Sequence, residues 1–99
     1  MGQPKERFRD RGLSNVVEEF NKIRQIKSVM EYQLRFEGLM ALMLNHNPYL
    51  IVSYFISSFL IGLNENLRPM VMVLQPKTLK HAADSARLQE LTLEALKKK

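Results

Sequence analysis

Residues 49–63 read Tyr49-Leu50-Ile51-Val52-Ser53-Tyr54-Phe55-Ile56-Ser57-Ser58-Phe59-Leu60-Ile61-Gly62-Leu63. Eleven of the fifteen are apolar or aromatic and none is charged; Pro48 stands in front and Gly62 near the end. A fifteen-residue helix rises about 22 Å, short of the ~30 Å hydrocarbon core of a bilayer, so the stretch reads as a helix buried in protein, not a membrane span. One face of that helix carries Val52, Phe55, Ile56, Phe59 and Leu63; the other carries Leu50, Tyr54, Ser57 and Ile61. A helix apolar on both faces needs cover on both, and a chain of 99 residues has little to spare. The first face is expected in the core. The second is a candidate surface for a partner chain, unless the first or last helix of the same chain covers it.

Ninety-nine residues make one small domain, near the lower end of what folds on its own core. A hydrophobic content of 45% is ordinary for a globular protein. The absence of cysteine leaves no disulfide framework, zinc knuckle or thiol nucleophile, and fits an intracellular protein. Met1 to Gly12 is charged, lacks an apolar run and so is no secretory signal; it reads as a flexible basic lead-in (1–12) to a helical domain (13–99). Of the formal net charge of +5, residues 1–27 carry +3, residues 28–75 carry −1 and residues 76–99 carry +3. A near-neutral centre with basic ends suits association through the middle. Arg7, Arg9, Arg11, Lys97, Lys98 and Lys99 are the candidate polyanion contacts, and RNA held by them would be bound weakly, salt-sensitively and without sequence preference.

Working outward, the spacing predicts four more helices. Ser14 or Asn15 caps a first over 15–26, with Val16, Val17, Phe20, Ile23 and Ile26 on one face. Ser28 and Glu31 form a capping box for a second over 29–44, with Val29, Tyr32, Phe36, Leu39, Met40 and Met43 inward. Asn45-His46-Asn47-Pro48 is a turn. Asn64 caps a short fourth helix with Leu67, Met70, Val71 and Leu74 on one face and Pro69 near its start; Gln75-Pro76 ends it. Thr78 caps a fifth, striped by Leu79, Ala82, Ala83, Ala86, Leu93 and Leu96, whose alanines permit close approach. No strand pattern or repeat occurs. The expected fold is an all-α bundle of about five helices.

The chain offers little for catalysis. His46 and His81 lie far apart, without the i, i+4 spacing of a helical zinc pair. The carboxylates are scattered over polar faces, and neither a phosphate-cradling glycine loop nor a nucleophile elbow is present. The expectation is a non-enzymatic protein with no cofactor, no metal, no small-molecule substrate and no membrane.

Several segments carry a family likeness: Val17-Glu18-Glu19-Phe20-Asn21-Lys22-Ile23-Arg24-Gln25; Ser28-Val29, Glu31-Tyr32, Arg35-Phe36-Glu37 and Leu39; Ser53-Tyr54-Phe55-Ile56; Gly62-Leu63; Leu67-Arg68-Pro69-Met70-Val71; Gln75-Pro76-Lys77-Thr78-Leu79; and Ala82, Ala86-Arg87-Leu88-Gln89-Glu90. In this order they resemble the Gag polyprotein of gypsy-type LTR retrotransposons, plant elements in particular, over roughly residues 6–96. The resemblance implies the C-terminal lobe of the capsid region, through which Gag subunits associate into virus-like particles in a cytoplasmic location, with other Gag regions as neighbours. Nothing here resembles the capsid N-terminal lobe or the zinc knuckles of such proteins, which reads as an excised domain or a fragment of a decayed element. Residues 25–40 also resemble the major homology region of retroviral capsids. That likeness implies a buried network of Gln25, Glu31 and Arg35 beside the aromatics Tyr32 and Phe36; Gln25 stands at a shifted spacing, followed by Ile26 where the family has glycine. Independently of any likeness, Glu31 and Arg35 read as an i, i+4 surface pair. Family members carry a shorter, more polar stretch in place of Ser57 to Ile61, and the helix after the homology region supplies their two-fold dimer contact. The expected function is self-association through Leu50, Tyr54, Ser57 and Ile61. Two alternatives stand beside it: a small basic nucleic-acid-binding module, or a domesticated Gag-derived host protein acting as an interaction domain.

Overall fold

Five α-helices succeed one another: α1 Val16–Lys22, α2 Val29–His46, α3 Val52–Gly62, α4 Arg68–Val73 and α5 Leu79–Lys97. The structure, a computed structural model, describes residues 15–97, and no strand occurs among them. The lead-in 1–12 with Arg7, Arg9 and Arg11, the candidate cap Ser14, and Lys98 and Lys99 lie outside the described residues. The all-α bundle is the predicted class.

Each helix end has a local cause. α1 stops at Lys22, four residues short of the expected end, because Ile23 turns extended (ψ 133°) to put its side chain in the core. The Arg24 guanidinium then donates to the freed carbonyls of Asn21 (3.4 Å) and Ile23 (2.7 Å). Ile26, expected on the inner face, is 78% exposed, and Asn15 makes no side-chain cap. At α2, Ser28 Oγ accepts from the Glu31 amide at 3.1 Å as the capping box requires. Glu31 does not return the bond but turns to Arg35, while the Val29 amide donates to Glu90 Oε2 of α5 at 3.0 Å. A carboxylate from another helix thus sits on the positive end of α2.

α3 starts later than expected. Asn47 holds a turn in which its Oδ1 accepts from the Tyr49 amide and its carbonyl from the Leu50 amide, and Ile51 is extended. Tyr49 and Leu50 therefore precede the helix. Asn64 behaves likewise: its side chain accepts from Asn66 N (2.7 Å) and its carbonyl from the Leu67 and Arg68 amides, so α4 begins only at Arg68. Met70 and Leu74, expected inside, are about half exposed, leaving Leu67 and Val71 as the buried pair. Past α4, Gln75 adopts a left-handed φ of 49° before Pro76, a conformation costing a non-glycine residue about 1–2 kcal/mol. Thr78 Oγ1 accepts from the His81 amide at 3.0 Å, the predicted cap of α5.

α5 packs against α2, α3 and α4. Ala82, Ala83 and Ala86 are fully buried there, as the small-residue stripe predicts, with Ser85 beside them. Leu96, placed on the same stripe, is exposed because α5 outruns the core. On the other side a ring cluster joins α1, α2 and α3: Phe20–Phe36 at 5.1 Å, Phe36–Phe59 at 5.2 Å, Tyr32–Phe59 at 4.9 Å and Phe20–Phe55 at 5.6 Å. Val52 alone of the predicted inner face of α3 is exposed, lying in its first turn.

Candidate self-association surface

The two faces of α3 separate much as their spacing predicts. Phe55, Ile56, Phe59 and Leu63 are buried; Ser57 is exposed and Ile61 is 57% exposed. Neither α1 nor α5 covers those two residues. Tyr54, 36% exposed, sets its ring against Phe55 (5.3 Å) and Phe20 of α1 (5.9 Å), so it borders both core and solvent. Leu50 is a correction: from its turn it packs half-buried against the core and is no member of the outer face. Tyr49 and Ile51, ahead of the helix, are exposed.

The surface continues onto α4. A groove of about 500 Å³ runs between the helices, lined by Val52, Ser53, Ser57 and Leu60 of α3 and by Met72 and Pro76. Met70, Met72, Val73 and Leu74 are all exposed. Sequence reasoning missed this extension, although five of the six residues of α4 are apolar and only Val71 is buried. Charge is absent from residues 49–64, and Lys77 is the one charged residue lining the groove.

The homology-region residues form two sets, not one buried network. Arg35 Nε and Nη2 bind the Glu31 carboxylate at 2.7 and 3.2 Å, and Nη2 also donates to the Arg24 carbonyl at 2.9 Å. Both side chains are about 40% exposed, so solvent screens the pair. Gln25 joins neither of them: its Oε1 accepts from the Asn64 amide, its Nε2 donates to the Lys27 carbonyl, and its own amide donates to the Gly62 carbonyl at 2.8 Å. It reached the other side because its loop is pulled toward the end of α3. Both sets touch the segment between α1 and α2, Arg35 at the Arg24 carbonyl and Gln25 at the Lys27 carbonyl.

That end of α3 is where buried polar groups concentrate. A helix leaves its last carbonyls without partners, and here other elements supply them. Tyr32 Oη donates to the Phe59 carbonyl at 2.9 Å, and the Arg68 guanidinium donates to the Leu60 (3.2 Å) and Leu63 (3.0 Å) carbonyls, setting positive charge at the negative helix end. The sequence pattern gave no sign of the role of Arg68 beyond its place in a recurrent motif.

Burial pushes the Tyr32 phenol above its ordinary pKa of 10.0, against the attraction of Arg24, Arg35 and Arg68. The folded state therefore holds the phenolic proton more tightly than the unfolded chain does. Its contribution to stability is complete below pH 10 and is lost as pH climbs past it. Urea unfolding from pH 8 to 11.5 should show a fall in stability that Tyr32→Phe abolishes, at a cost near neutrality of about 1–2 kcal/mol for the unmet Phe59 carbonyl. A variant with the same alkaline slope as the wild type would remove Tyr32 from that role. At the surface, Asp84 is held below the usual carboxylate range by its hydrogen bond to Lys80.

His46 ends α2 and His81 lies in the first turn of α5; among the described residues no three histidine or carboxylate side chains gather as a metal site. No helix among them is long and apolar enough to cross a membrane. Of the candidate polyanion contacts only Lys97 is described, exposed at the end of α5. Compared with known proteins, the chain matches no family model, no curated protein and no solved structure at a significant level.

Proposed function

We propose that the chain is a non-enzymatic structural lobe of gypsy-type Gag capsid character, whose work is symmetric self-association through the outer face of α3. One observation carries this reading: α3 keeps Ile61, Ser57 and part of Tyr54 in solvent, within a segment that carries no charge. Apolar surface of this kind, left open on so small a domain, marks a contact for another chain. A two-fold axis across α3 sets each residue against its like on a second copy, which a charge-free face tolerates. The sequence resemblance points the same way, because the matching helix makes the dimer contact in related capsids.

Ile61→Glu tests the reading better than a change at Tyr54, whose ring also leans on Phe20 and Phe55. By sedimentation equilibrium from micromolar to millimolar concentration, the wild type should self-associate reversibly. Ile61→Glu should weaken that association at least about tenfold, since two carboxylates would be buried at the axis, with helicity by circular dichroism unchanged. A wild type that stays monomeric throughout, or an Ile61→Glu chain that associates as strongly, would refute it.

A further inference from the structure

The second half of α5 outruns the core. Ala82, Ala83, Ser85 and Ala86 are buried, Gln89, Glu90 and Leu93 are half-buried, and residues 94–97 are all exposed. On the outer side of this helix Leu88, Leu91 and Ala95 follow one another at spacings of three and four, the stripe by which two helices pair. Leu88 and Leu91 are 62% and 63% exposed. Arg87 and Glu94, seven residues apart, lie along one flank of the stripe, and among the described residues neither has an ion-pair partner.

From this we infer that the outer stripe of α5 pairs antiparallel with α5 of a second copy, about a two-fold axis between Leu88 and Leu91. The pattern is complementary to itself. Such an axis brings Leu88 onto Leu91 of the second copy and Arg87 opposite Glu94 of the second copy, and each contact occurs twice. A parallel pairing would set Arg87 against Thr92 and forgo both ion pairs. The contact is small and stands at the transient end of protein interfaces. It does not depend on the α3 face, and α3 packs on the inner side of α5. A protomer with two separate two-fold contacts links into open strings of subunits, in which weak contacts reinforce one another.

Sedimentation equilibrium of the full chain in about 50 mM salt, where surface charge is little screened, tests this in the Ile61→Glu background, which removes the α3 contact. Association should persist there and fall at least about tenfold on adding Leu91→Glu. Arg87→Glu and Glu94→Arg should each weaken it about threefold or more, and the two together should restore it to within about twofold. All four positions are exposed, so helicity by circular dichroism should stay constant. A strictly monomeric Ile61→Glu chain at millimolar concentration, indifference to Leu91→Glu, or a charge-swapped double variant no better than the single ones would overturn the α5 contact. Failure of the α3 reading appears separately, as wild type and Ile61→Glu associating alike.

Discussion

Gly62→Ala is expected to cost about 3–5 kcal/mol, from overpacking together with a lost buried hydrogen bond, and to leave a domain of this size largely unfolded. In most helices the same exchange would gain up to about 1 kcal/mol. The sign reverses because a Cβ at Gly62 would overlap the Tyr32 hydroxyl and stand 2.8 Å from the Ile23 carbonyl and 2.9 Å from Tyr32 Cζ. Neither neighbour can yield cheaply. Tyr32 is fully buried, stacked on Phe59, and its hydroxyl is committed to the Phe59 carbonyl; Ile23 is backbone at the turn out of α1. Gly38 supplies the contrast, since nothing lies within 4 Å of a Cβ added there. Urea unfolding of both variants should give opposite shifts, with Gly38→Ala more stable by about 0.5–1 kcal/mol. A Gly62→Ala midpoint equal to that of wild type would mean α2 and α3 do not approach as closely as described.

Some of these features could be read without coordinates, and the reason is that they are local. Ser28 and Thr78 announce caps because a hydroxyl three residues ahead of an amide serves wherever the chain lies. The alanines of α5 and the inner residues of α3 follow from periodicity alone. What could not be read depends on which elements meet. Glu90 reaches Val29 across 61 residues, and Gln25 bonds to Asn64 across 39. The late starts of α3 and α4 come from side chains that compete with the helix, Asn47 and Asn64, and the early end of α1 from the burial of Ile23. The candidate surface divides in the same way. Ser57 and Ile61 were legible as an outer face, but Leu50 fell to a turn and Met72 of α4 joined only through tertiary placement.

Phe36→Ala should be the other severe change, costing about 3–5 kcal/mol as a large buried ring is replaced by a cavity. Phe36 is fully buried in α2 and its ring meets three others: Phe20 of α1 at 5.1 Å, Phe59 of α3 edge-on at 5.2 Å, and Tyr32 at 6.0 Å. α1 is the shortest helix but one and relies on Phe20 and Val16 for its burial, so losing its main partner ring should loosen it first. Phe36→Leu keeps most of the volume and should cost only about 1–1.5 kcal/mol. Glu31→Gln measures the other half of the same region. Its ion pair with Arg35 is partly exposed, so the change should cost under about 1 kcal/mol. Hydrogen exchange of the α1 amides should rise with Phe36→Ala and stay near wild type with Glu31→Gln. The reverse order would mean that the polar set around Arg35, and not the rings, anchors α1 to α2.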